Sequence, residues 1–343
     1  MNNKKTARKP YSGFTLAEML VVLLIVVILA GLISAAAYRA LYRGKVARVS
    51  IDIQQLSLSL EKYKQQFGEY PPDFSSIDGS GSTADIAAEN LVMTHLSKAF
   101  PRYTAAYYGG ASYSLNWANL RKEIQANSKD SSGNAQIDIN TMNPSTALVF
   151  WLGGMPDAQG KLSGFSQNPA DPFESPATTS SRIGPLFDFD PGHLKNSAYY
   201  APPVTAGSGK PYIYLRAEQG QPQLKREYYS YDPTGSKPYT FKKGGSGAQP
   251  YWDQRNGGWV NPDSFQILFC GLDAKFGKEN VYPTGTMPSS VFPFTTTTLP
   301  GVPADVITDL NKDIVQTTDN PTNIDHLDDQ TNFAKGTIGD DLP

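Results

Sequence analysis

Hydrophobic positions run almost unbroken near the start of the chain and become periodic only later. From Met19 to Ala37 the residues are apolar apart from Gly31 and Ser34. That run matches the roughly 20 apolar residues of a membrane-spanning helix. No proline lies between Phe14 and Tyr70, so nothing forces a helix to stop at the end of the run. Further on, Val49, Ile53, Leu56, Leu60, Tyr63 and Phe67 recur at alternating spacings of four and three, which lines one face of an α-helix. The opposite face carries Arg43, Lys45, Arg48, Asp52, Gln54, Gln55, Glu61, Lys62, Lys64 and Gln65. Gly68 is placed to cap this helix, and Pro71-Pro72 forbid its continuation. The two patterns together predict one helix from Phe14 to Phe67, about 80 Å long at about 1.5 Å per residue. Its first half is apolar all round and wants lipid or other helices; its second half is apolar on one stripe and wants a sheet. The stripe also fits a coiled-coil seam of about three heptads.

Beyond Gly68 the pattern weakens. Helical patches are predicted at Ala84 to Ala99 and Trp117 to Ala126, with a polar loop over Ser128 to Ala135. The run Ala147 to Leu152 is either a buried strand or the end of a helix, since six apolar residues fit both. Asp171-Pro172, Asp190-Pro191 and Asp232-Pro233 mark turns. Between them lie short strand candidates: Leu186 to Phe189, Tyr212 to Arg216, Tyr228 to Tyr231 and Tyr239 to Lys242. Phe265 to Cys270 is the clearest strand, rich in aromatic and β-branched residues and bounded by turns.

Composition narrows the function. The 343 residues carry a net charge of −2, 19 Tyr, 16 Phe and one cysteine. No basic stripe suggests a nucleic-acid partner. Cys270 has no second cysteine to pair with and reads as a buried structural thiol. His95, His193 and His326 have no metal-ligand spacing to one another. No metalloprotease motif, nucleophile elbow or phosphate loop occurs, so an enzyme is the least favoured class. Tyr228, Tyr229, Tyr231, Tyr251, Trp252 and Trp259 either pack a strand-rich core or form a glycan- or partner-binding surface.

The start of the chain is more specific. A basic leader with Lys4, Lys5, Arg8 and Lys9 precedes Gly13, and Phe14-Thr15-Leu16-Ala17-Glu18 follows it. A secretory signal is cut after its apolar region; here the small residue stands in front, so cleavage at Gly13 keeps the apolar helix on the mature chain. Glu18 puts a carboxylate just inside that helix, which is costly in lipid unless it finds a partner. Together these residues resemble the class III signal of type IV pilins and type II secretion pseudopilins. The resemblance implies removal of residues 1–13 by prepilin peptidase and N-methylation of Phe14. It also implies that Glu18 pairs with the Phe14 ammonium of a neighbouring subunit during filament assembly.

The C-terminal region adds a second resemblance. The Phe265–Cys270 strand runs into Gly271-Leu272-Asp273-Ala274, and an acidic stretch, Asp325-His326-Leu327-Asp328-Asp329-Gln330-Thr331-Asn332-Phe333, comes later. These pieces are similar to the C-terminal loop of the type II secretion major pseudopilin, which binds a structural Ca²⁺. The resemblance implies Asp273, Asp328 and Asp329 as ligands, Asp325 as a weaker one, and the Leu272 carbonyl as a further oxygen, a set suited to a hard cation. Ala274 replaces the family's glycine, and the segment Lys278 to Ile324 is longer than the family's loop.

The fold expected is therefore α+β: a pilin fold with a long N-terminal helix on a C-terminal antiparallel sheet. The expected divisions are a leader at 1–13, a helix at 14–67 that spans the membrane over 14–37, a loop-rich insertion at 68–260, and a strand and acidic loop region at 261–343. The expected function is that of a non-enzymatic pseudopilus subunit for protein export. Its expected partners are prepilin peptidase, other pseudopilins, an inner-membrane assembly platform and lipid, but no nucleic acid. Its expected place is the inner membrane, single-pass, with a periplasmic domain, and then the pseudopilus. A type IV pilin or DNA-uptake pseudopilin, or a membrane-anchored periplasmic binding module, are the alternatives.

Overall fold

A helix of 52 residues, α1 (Leu16–Phe67), opens the structure. The structure is a computed structural model that describes residues 15–75, 77, 83–103, 107–108, 111–112, 116–178, 180–201, 211–217, 230–231, 238–239, 248, 250–253, 258–271, 281–282 and 330–333. The chain divides into two units, Met1–Lys45 and Val46–Pro343.

In the first unit the helix leaves its apolar side chains uncovered: Leu20, Leu23, Leu24 and Leu29 are all more than half exposed. The apolar run with described side chains is continuous from Met19 to Gly31; the side chains of Leu32, Ser34, Ala35 and Ala36 lie outside the description. Among the described residues no helix is long and apolar enough to cross a membrane.

In the second unit the expected stripe is the core face of α1. Val49, Ile53, Leu56, Leu60, Tyr63 and Phe67 are all buried. Burial of each large apolar side chain contributes roughly 1.5–3 kcal/mol. Gly68 adopts φ +89° and donates its N–H to the Lys64 carbonyl at 2.8 Å, which closes the helix as the sequence predicts. One expectation for the opposite face does not hold. Asp52 is half-buried and accepts the Tyr212 hydroxyl at 2.9 Å, because the chain entering the Ile213–Arg216 strand crosses α1 there.

Helices α2 (Thr83–Ala99) and α3 (Trp117–Asn127) fall where predicted. The ambiguous run becomes a helix, α4 (Ala147–Gly153), with every residue buried. Trp151 donates its indole N–H to the Pro72 carbonyl at 2.8 Å, and its ring contacts Tyr63, Phe74 and Phe150. A helix buried on all sides has no polar face, which is why its pattern resembled a buried strand. Gly154 ends it at φ +74°, where an added Cβ would collide with the backbone of Gly164.

The main sheet has three strands, with Phe265–Phe269 in the centre. It pairs antiparallel with Ile213–Arg216, in the register Ile267↔Tyr214, and with Gln330–Thr331, in the register Phe269↔Gln330. All five residues of the central strand are buried. Gln266 is satisfied there by acting as a backbone surrogate: its amide accepts from Tyr251 N–H at 2.7 Å and donates to the Tyr251 and Val260 carbonyls. The architecture is thus α+β, a long N-terminal helix followed by small and mainly antiparallel sheets, consistent with a pilin-like fold.

Most remaining strands are two residues long. Leu186 to Phe189 is not a strand, against expectation. The Leu186 N–H goes to the Leu152 carbonyl at the end of α4, at 2.7 Å, rather than into a ladder. Phe187 and Phe189 instead pack against Tyr199, with ring centroids 5.6 and 5.1 Å away. The paired strands nearby are Phe165–Ser166 and Arg182–Ile183. Of the aromatic group, Tyr251 is fully buried against Phe333, so it packs the core. Tyr228 and Tyr229 lie outside the described residues, as do the side chains of Tyr231, Trp252 and Trp259. Cys270 is buried, as expected of a structural thiol.

Candidate functional site

Of the residues expected to serve processing and assembly, Gly13 and Phe14 lie outside the described residues and Glu18 lies within them. One Glu18 carboxylate oxygen accepts from the Thr15 backbone N–H and from the Thr15 hydroxyl, both at 2.8 Å. The Thr15 hydroxyl oxygen in turn accepts from the Glu18 N–H at 3.3 Å. This is a reciprocal capping box, which satisfies donors that the first turn of a helix leaves unpaired. Its sign, Thr-x-x-Glu, stands in the sequence at Thr15 and Glu18.

The proposed calcium ligands Leu272, Asp273, Asp325, Asp328 and Asp329 also lie outside the described residues. Their flanks do not. The antiparallel register sets Gln330 opposite Phe269, the last residue of the central strand. The Gln330 side chain there is buried, and neither of its amide atoms has a hydrogen-bond partner among the described residues. Among the described residues no group of three or more His, Cys, Asp or Glu side chains is arranged to hold a metal.

The most organised polar site is one that sequence reasoning missed. His95, on α2, is buried against Trp151 and Tyr63. Its Nε2 lies 2.9 Å from the Tyr63 hydroxyl and its Nδ1 lies 2.8 Å from Glu69. Burial pushes the His95 pKa down, so the ring is neutral. The hydrogen bond from His95, helped by Lys98 and Arg216, pulls the Glu69 pKa down to about 2 against the opposing effect of burial. A carboxylate only accepts, so Nδ1 carries the imidazole proton; Nε2 then accepts from Tyr63 O–H. The second Glu69 oxygen faces Lys98 Nζ at 3.1 Å and the Arg216 guanidinium at 3.7 Å. Behind it, buried Asp73 accepts from the N–H groups of Ser75 and Arg216. One chain of polar contacts thus ties α1, α2, the loop after α1 and the sheet together. No local pattern announces it, since its members are scattered in sequence.

A second carboxylate pair links Glu123 of α3 to half-buried Asp171 in a later loop. Glu123 is 4% exposed, accepts the Tyr103 hydroxyl at 2.8 Å and lies close to Asp171. Burial, reinforced by Asp171, pushes the Glu123 pKa up to about 8. Burial raises Asp171 as well. At neutral pH Glu123 therefore keeps its proton, since two adjacent carboxylates shielded from water do not both ionise. Both networks join elements of the fold.

Residues 8–34 match the prokaryotic N-terminal methylation motif, which is typical of type IV pilin-like proteins. No curated protein and no solved structure matches the chain. The motif is that of a pilin-like subunit processed by prepilin peptidase and assembled with other pilin-like subunits. It points to a structural role rather than catalysis, and to a membrane anchor or a pilus as its place.

Proposed function

We propose that this chain is a structural subunit of a type II secretion pseudopilus, anchored in the inner membrane by the first half of α1 before assembly, with the Val46–Pro343 unit in the periplasm. The observation that carries this reading is the methylation motif leading directly into an uninterrupted helix of 52 residues whose second half is the core face of a sheet-bearing unit. Prepilin peptidase would cut after Gly13 and methylate Phe14. The apolar face of α1 would then exchange lipid for neighbouring helices in an open helical assembly. Glu18 would leave its Thr15 cap, or share it, to meet a neighbouring Phe14 ammonium, and an assembly platform in the inner membrane would drive the exchange. The chain catalyses nothing in this scheme and needs no nucleic acid.

A structural Ca²⁺ belongs to the same proposal. What supports it is the register that sets Gln330 opposite Phe269, together with the buried Gln330 amide, which has no partner among the described residues. Leu272, Asp273, Asp325, Asp328 and Asp329 would hold the ion, and its charge would offset theirs. Chelation should then lower the melting temperature, and added Ca²⁺ should restore it.

The mass of the N-terminal peptide from protein purified out of its native membrane tests the reading. A chain beginning at a methylated Phe14 is expected; an intact leader overturns it. Loss of secretion on deletion, with pili unaffected, separates the secretion filament from a type IV pilus or an uptake filament.

A further inference from the structure

A cleft of about 340 Å³ opens where the C-terminal turns of α1 and α2 meet the end of the Ile213–Arg216 strand. Its walls carry three cations, Lys64, Lys98 and Arg216, against two carboxylates, Glu69 and Asp263. Glu69 is already committed to His95 and Lys98, at 2.8 and 3.1 Å. The Arg216 guanidinium stands 3.7 Å from Glu69, longer than a hydrogen bond, and its side chain is only 21% exposed. Its backbone N–H is taken by Asp73. A guanidinium has five N–H donors in a fork that fits an oxyanion, and those of Arg216 have no hydrogen-bonded acceptor among the described residues. Lys64 holds its ammonium 4.3 Å from the Tyr70 ring centroid, a cation–π contact. Leu91 forms an apolar part of the same wall and is 41% exposed.

We propose that this cleft is a recognition pocket for a carboxylate on a partner polypeptide: an acidic side chain held between Arg216 and Lys98, with an apolar neighbour resting on Leu91. The Arg fork alone would accept a phosphate equally well. Leu91 and Tyr70 beside the cations favour a peptide, whose acidic residue brings apolar neighbours with it. The chain itself supplies such groups. Its net charge is −2 with Lys4, Lys5, Arg8 and Lys9 counted, and processing after Gly13 would remove those four cations. Other copies of the subunit would then present an excess of acid. The pocket stands on its own geometry and does not depend on which filament the chain builds.

The test is calorimetric titration of the full chain in detergent micelles with acetyl-Leu-Glu-Leu-Glu-amide, with the Gln-for-Glu peptide and inorganic phosphate as separate arms. The expected result is saturable binding of the Glu peptide alone, weakened by salt. Arg216→Gln should weaken it roughly tenfold, the scale of about 1.4 kcal/mol. Lys98→Gln and Lys64→Gln should each weaken it severalfold, and Lys122→Gln, on α3, should leave it unchanged. The two lysine variants keep the test decisive if Arg216→Gln does not fold. Equal binding of the Gln peptide, no binding of the Glu peptide, or full affinity in all three cleft variants would overturn the pocket. Tighter binding of phosphate would overturn its assignment to a carboxylate.

Discussion

Tyr63 and His95 are 32 residues apart in sequence, yet the phenol donates to the imidazole Nε2 across 2.9 Å inside the core. The contact fixes the imidazole tautomer that Glu69 requires, and it joins the first two helices through a polar bond where an apolar contact would have sufficed. His95→Leu should orphan the buried Tyr63 hydroxyl and deprive Glu69 of its main donor. Orphaning a buried polar group costs about 1–3 kcal/mol. Urea unfolding should show a loss of that size, and Tyr63→Phe in the same background should recover part of it.

Stability should fall on both sides of neutrality for different reasons. The pKa of Glu123 is raised by folding, to about 8. Its contribution is present below the carboxylate range and lost as pH rises through about 8. Glu69 has a lowered pKa of about 2, so its contribution is present above the carboxylate range and lost as pH falls toward 2. Thermal melts across pH should show the alkaline loss flatten in Glu123→Gln and the acid loss flatten in Glu69→Gln.

Two leucines on the same helix should behave oppositely. Leu60 is fully buried and Leu58 is 63% exposed. Leu60→Ala should cost about 2–5 kcal/mol, and Leu58→Ala should stay within about 0.5 kcal/mol. Denaturant midpoints of the two variants would check the assignment of the stripe, and equal effects would contradict it.

The glycines divide in the same way. Gly154→Ala would drive a Cβ into the Gly164 backbone at a residue already at φ +74°, so folding should fail or a large loss should appear. Gly44 lies within α1 with nothing near its missing Cβ. Gly44→Ala should raise helix stability by about 0.5–1 kcal/mol, seen as slower amide exchange around it.

Local chemistry was legible from residues alone. The leader, Gly13 and Glu18 pointed to the methylation motif that residues 8–34 match. The four-three spacing from Val49 to Phe67 named the buried face of α1, and Gly68 its cap, because helix periodicity and a left-handed terminal residue depend only on near neighbours. What only the tertiary structure decided were features whose partners lie far along the chain. The run Ala147 to Leu152 became a helix because other elements enclose it on every side. Asp52 left the solvated face because Tyr212 reaches it across 160 residues. Leu186 to Phe189 lost its strand because α4 offered the nearer carbonyl. His95, Glu69, Glu123 and Gln266 are polar residues whose burial no periodicity announces. Each is tolerated in the core only because a distant residue meets its hydrogen bonds, and that meeting exists only once the chain has folded.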